Sequence, residues 1–77
     1  MKRVDCLGLF CPVPIMRIAE ALKEVPEGEL VELVGDDPGL PEDLKAWCRG
    51  IGHGLEALEV SGSVITARVR RRMGRAA

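Results

Sequence analysis

Apolar and polar positions alternate with a period of two from residue 2 to residue 7, where Val4 and Cys6 share one side and Arg3 and Asp5 the other. This stretch predicts a short strand with Cys6 turned inward. From about Pro12 to Glu24 the period lengthens: Ile15, Ile18, Ala19, Leu22 and Val25 form one helical stripe, with Arg17, Glu20, Lys23 and Glu24 opposite. Val25-Pro26-Glu27-Gly28 ends that helix, since proline cannot continue the ladder and glycine serves the turn. Glu29 to Gly35 then alternates again as a strand with Val31 and Leu33 on its inner face. A second stripe of Leu40, Leu44, Trp47, Cys48 and Ile51 predicts a helix over about Pro41 to Ile51, closed by the glycines at 50, 52 and 54. Leu55 to Val60 and Val64 to Arg72 follow as two strands around Ser61-Gly62-Ser63, with Ile65, Ala67 and Val69 inward.

The order is therefore βαβαββ, and each helix has only one apolar stripe to bury. Both stripes are satisfied if the helices lie on one face of a four-stranded sheet, an α+β fold built as an α/β two-layer sandwich. The helical connections predict parallel pairings and the terminal hairpin an antiparallel one, so the sheet is mixed. Strand order does not follow from the pattern. Seventy-seven residues suffice for one core, which places a single domain at 1–72 and a short basic C-terminal tail at 73–77.

Composition narrows the function. With one Trp, one Phe and no Tyr, the chain has no aromatic platform on which bases could stack. No apolar run reaches membrane-spanning length, and Met1-Lys2-Arg3-Val4-Asp5 is no signal peptide, so the expected location is the cytoplasm, without membrane contact. Three cysteines without a repeated Cys-x-x-Cys pair fit a reducing compartment, and the spacings Cys6 to Cys11 and Cys48 to His53 match no common zinc site. No metal and no cofactor is expected. Asp36 and Asp37 are better placed to cap the second helix than to bind a metal, and His53 to cap its end as an imidazolium. The net charge of −1 hides an asymmetry: residues 1–67 hold 6 Lys/Arg against 12 Asp/Glu, while residues 68–77 hold 5 Arg and no acid. Arg68, Arg70, Arg71, Arg72 and Arg75 are candidates for docking an acidic partner, with a solvated tail as the alternative.

Chemistry points to Cys11 in Gly8-Leu9-Phe10-Cys11-Pro12-Val13-Pro14-Ile15. Prolines mark a helix start, and the pair Pro12 and Pro14 makes Cys11 the expected N-cap. There a thiol meets the positive end of the helix dipole, which favours the nucleophilic thiolate. Pro14 removes one donor and leaves Val13 as the capping N–H, so the expected pKa is lowered, into the upper part of the ~3.5 to 7.5 range of activated cysteines. Such a sulfur attacks well and also leaves well. It is expected at the rim of the core, half shielded. Cys6 is expected in the core, with a second role open as a resolving thiol.

Val4-Asp5-Cys6-Leu7-Gly8-Leu9-Phe10-Cys11-Pro12-Val13-Pro14, followed by Asp36-Asp37-Pro38, Trp47-Cys48, Gly52-His53, Gly62 and the arginine-rich last strand, resembles the TusA/SirA-like sulfur-carrier family, whose mark is a Cys-Pro-x-Pro motif. The resemblance covers nearly the whole chain. It implies a two-layer α/β sandwich with persulfide sulfur held on Cys11. It also implies a cysteine desulfurase or other sulfurtransferase as donor and an acceptor protein in tRNA thiolation, cofactor biosynthesis or sulfur oxidation. Two other functions stay open: a small RNA-binding or regulatory module using the arginine strand, against which the acidity of residues 1–67 counts, and thiol–disulfide exchange between Cys6 and Cys11.

Overall fold

Lys2–Cys6 forms β1, Val13–Lys23 α1, Leu30–Gly35 β2, Leu40–Ile51 α2, Gly54–Ser61 β3 and Val64–Arg70 β4 in the computed structural model, which describes residues 1–72. The basic tail expected at 73–77, Arg75 included, lies outside the described residues. The order is the βαβαββ expected, and the sheet is mixed, with strand order β1-β2-β4-β3. β1 runs parallel to β2, while β4 is antiparallel to both β2 and β3. One of the two helical connections thus joins paired parallel strands. The other does not, because β4 inserts between β2 and β3 and completes the central pairing. Element ends differ from the expected ones by one or two residues, as frayed termini do.

The apolar stripes pack close to where their periods put them, except that Ala21 of the first helix is buried and Ala19 only half-buried. Ile18, Ala21 and Leu22 of α1 and Leu40, Leu44 and Cys48 of α2 meet Cys6, Val31, Leu33, Ile65, Ala67 and Val69 from one face of the sheet in a single core. Trp47 is half-buried at the edge of that core, tilted 41° against His53 with 5.5 Å between ring centres. On the opposite face Arg3, Glu32 and Arg68 stand in register across β1, β2 and β4. Arg3 Nε donates to Glu32 Oε1 at 2.7 Å and Arg68 Nε to Oε2 at 3.3 Å. These two guanidinium groups hold the Glu32 carboxyl below its usual pKa, Arg3 contributing first.

Turn chemistry follows local sterics. Gly52 caps α2 with φ 101°, and its N–H donates to Cys48 O at 2.8 Å. Gly62 has φ 61° at the first central position of the two-residue turn between β3 and β4, a conformation glycine takes without a Cβ clash. Gly35 has a different reason: a Cβ there would stand 2.8 Å from Leu40 Cδ2, and Leu40 is itself only 1% exposed at the first turn of α2. Gly35→Ala is expected to destabilise the fold by about 1–3 kcal/mol through overpacking, read as a lower urea midpoint at unchanged slope.

Candidate functional site

β1 and β2 are parallel neighbours, so the loops that leave their C-terminal ends lie together, and this places Cys11 beside Asp37 although 26 residues separate them. Four hydrogen bonds fix the first loop. Leu7 N–H donates to Asp5 Oδ1 at 3.0 Å, Gly8 N–H to Asp36 Oδ1 at 2.9 Å, Leu9 N–H to Cys6 O at 3.1 Å and Cys11 N–H to Asp37 Oδ2 at 3.0 Å. The other oxygen of Asp37 accepts from Gly39 N–H at 3.0 Å, just ahead of α2. One carboxylate therefore joins the cysteine loop to the start of the second helix. The sequence places the two aspartates as caps of α2. Asp36 instead reaches across to the neighbouring loop and Asp37 divides its oxygens, because the parallel pairing delivers unbonded amides within their range.

Cys11 is not the N-cap. That position belongs to Pro12, whose carbonyl accepts the Met16 N–H at 3.1 Å and whose peptide bond to Cys11 is cis. No side chain caps α1. The Val13 N–H expected to serve the thiol donates to Phe10 O at 2.9 Å. One residue outside the helix, Cys11 is exposed and not half shielded. Pro14, at the second helical position, is buried, Val13 is half-buried and Pro12 is exposed.

The electrostatics are also the reverse of those expected. The Cys11 pKa is raised, first by the nearby Asp43 carboxylate, then by partial loss of hydration, then by the negative charges of Asp43 and Asp37. Full carboxylate charges outweigh the partial charge of a helix end whose donors are engaged elsewhere. The resting sulfur is a thiol. Alkylation of Cys11 by iodoacetamide, followed against pH, is expected to reach half its plateau above the range of an ordinary cysteine, since only the thiolate reacts and it forms late. Asp43→Asn removes the leading cause, so its midpoint should move down and its rate at pH 7 rise several-fold; an unmoved midpoint would disprove the assignment.

The other candidate residues lie apart from this point. Cys6 is 0% exposed, with a pKa raised chiefly by burial, and Cys48 is 3% exposed, its thiol pushed up to about 11 by burial alone. His53 sits at the far end of the strands, where its Nδ1 accepts from Arg72 N–H at 3.1 Å. It is not the protonated cap expected: an accepting nitrogen requires the neutral ring, and burial followed by the charge of Arg71 lowers its pKa. The arginines turn inward to local partners. Arg68 pairs with Glu32, and Arg70 and Arg72 each reach Glu56 at 3.3 Å. Arg70 also donates to Gly28 O and Arg71 to Val25 O. All of these except Arg68 gather at the end of the sheet remote from Cys11.

Apolar side chains mark the Cys11 end. Phe10 is 60% exposed directly before the cysteine, and Leu7 in the same loop and Met16 on α1 are exposed as well. Among the described residues no group of three or more His, Cys, Asp or Glu could hold a metal ion, and no helix is long and apolar enough to cross a membrane. Sequence reasoning missed Asp43 and the cross-loop role of Asp36 and Asp37. The available signal was the predicted parallel pairing, which brings the two loops to one edge.

Comparison with known proteins supplies the family. Residues 2–71 match the family described as sulfurtransferase TusA. A protein of Archaeoglobus fulgidus, provisionally named a sulfur carrier, is 39% identical over 59 residues, 77% of each chain. One from Neisseria meningitidis serogroup A, named in the same way, is 39% identical over 62 residues, covering 79% of this chain and 84% of that one. Among solved structures, the SirA-like protein of Desulfitobacterium hafniense superposes with a TM-score of 0.79 at 32% identity, over 94% of this chain and 99% of the other.

Proposed function

The chain belongs to the sulfurtransferase TusA family, and we propose on that premise that it acts as a sulfur carrier whose cargo is a persulfide on Cys11. The observation that supports the assignment to this residue is exposure: Cys11 is the exposed cysteine, whereas Cys6 and Cys48 are buried. In the loading step Cys11 Sγ gives up its proton and attacks the outer sulfur of a donor persulfide. The donor's S–S bond breaks, its inner sulfur leaves as a thiolate, and that thiolate takes up the proton. One sulfur atom moves with no net oxidation, so no cofactor is needed. Delivery is the same exchange with an acceptor in the attacking role. A donor such as a cysteine desulfurase or another sulfurtransferase and an acceptor serving tRNA thiolation, cofactor biosynthesis or sulfur oxidation fit this chemistry.

Partners meet Cys11 through its own surroundings in this reading. The exposed Phe10, Leu7 and Met16 offer apolar contact there, whereas Arg70, Arg71 and Arg72 lie at the remote end. Arginines engaged with Glu32 and Glu56 also leave less free positive charge for RNA, which weighs against the nucleic-acid alternative. The direct test is incubation with glutathione persulfide followed by intact mass. A gain of one sulfur atom, reversed by a thiol reductant, is expected; no adduct would reject the reading.

A further inference from the structure

A loaded carrier contains its own hazard, because a free thiol five residues from a persulfide can attack it. The reaction is balanced without an oxidant: Cys6 Sγ–H attacks the inner sulfur of Cys11 Sγ–SH, a Cys6–Cys11 disulfide forms, the sulfur–sulfur bond to the cargo breaks, and the outer sulfur leaves with the proton as hydrogen sulfide. The cargo would be lost and the carrier blocked. Resting on the reading of Cys11 as the sulfur-bearing residue, we propose that Asp36 and Asp37 are positioning residues that keep the loaded Cys11 away from the Cys6 thiol.

Geometry supports this on both sides. Cys6 is 0% exposed, facing the core at the last position of β1, and Cys11 is exposed on the surface. Between them the chain is anchored by carboxylates from outside the loop, at Gly8 by Asp36 and at Cys11 by Asp37, with bonds of 2.9 and 3.0 Å. Asp37 is in turn tied to Gly39, so the anchor at Cys11 is as firm as the start of α2. The Asp5 bond to Leu7 and the Leu9 bond to Cys6 O hold the near end of the loop over the buried thiol. Freed of the two outer anchors, residues 8 to 11 could fold back toward residue 6.

The test loads the full chain with glutathione persulfide, removes excess reagent, and follows intact mass together with released sulfide. Wild type is expected to keep its one-sulfur adduct. Asp37→Ala should shorten the adduct's life at least about tenfold, the weight of one charge-assisted hydrogen bond, with sulfide released and a Cys6–Cys11 disulfide appearing. Asp37→Asn keeps one acceptor oxygen at the same lost charge and should fall between the two. Adding Cys6→Ser to Asp37→Ala should restore the wild-type lifetime, which a general loss of structure would not allow. Alkylation of Cys48 serves as the folding control, since it stays blocked while the core is intact. An equal adduct lifetime in Asp37→Ala, or decay that persists after Cys6→Ser, would overturn the proposal while leaving the carrier reading in place. Failure of the wild type to take up sulfur would remove both.

Discussion

Cys11→Ser is expected to abolish the one-sulfur adduct altogether, while Cys6→Ala and Cys48→Ala retain it in the folded protein. A serine hydroxyl has nearly the shape of the thiol, but it forms no sulfur–sulfur bond and does not ionise near neutral pH. At an exposed position the exchange should change stability by no more than about 0.5 kcal/mol, so the loss cannot be blamed on unfolding. Cys6 and Cys48, at 0% and 3% exposure, present no sulfur to a donor in solution, and burial keeps both thiols protonated. Intact mass after treatment with glutathione persulfide checks each variant, with circular dichroism to confirm folding. An adduct that persists on Cys11→Ser would move the carrier site elsewhere, and one that disappears equally in Cys48→Ala would indicate a requirement for the second thiol.

Interactions between residues close in sequence were legible; those set by the sheet were not. The helical stripe from Ile15 to Val25 and the alternation of Val31 with Leu33 need only a local period, and Ile18, Leu22, Val31 and Leu33 are buried as expected, while Ala19 and Val25 are only half-buried. The two prolines did announce a helix start just after the cysteine. What they could not announce was that Asp37, 26 residues on, would hold the Cys11 N–H, or that Phe10 O would take the Val13 N–H. Those two bonds move the cap to Pro12 and leave the sulfur outside the helix. Asp43 shows the same lesson for charge: its place in the first turn of α2 is plain from the sequence, but its approach to Cys11 depends on which strands pair. Strand order was illegible for a related reason, since β4 enters the sheet between two strands that precede it in the chain.

The resulting site is quieter than an activated cysteine. Asp37 and Asp43 favour the thiol, so Cys11 is expected to be slow in chance oxidation and alkylation, reactions that proceed through the thiolate. Exposure rather than acidity then makes the sulfur available. A donor whose approach offsets the two negative charges would also raise the thiolate fraction at the moment of transfer.

Leu33→Ala should be the most damaging single change to the fold among those argued. Leu33 is 0% exposed at the centre of β2, opposite Val4 of β1 and Ala67 of β4. Ala67 is already small, so no bulky partner stands across that pair to fill the space. Truncation of a buried leucine costs about 2–5 kcal/mol, and the spread reflects how far the surroundings can collapse. A domain of this length holds roughly 4–12 kcal/mol in total, at the usual stability per residue, so the change removes a large share of it. Urea denaturation at 25 °C measures the loss directly as a lower midpoint at constant slope. Val60→Ala is the matched control: Val60 is 61% exposed near the β3–β4 turn and its truncation should cost at most about 0.5 kcal/mol. Sulfur uptake by Leu33→Ala should fall only in proportion to its folded fraction, because Cys11, Asp36 and Asp37 are untouched. Midpoints for Leu33→Ala and Val60→Ala that coincide would mean that the core does not centre on β2.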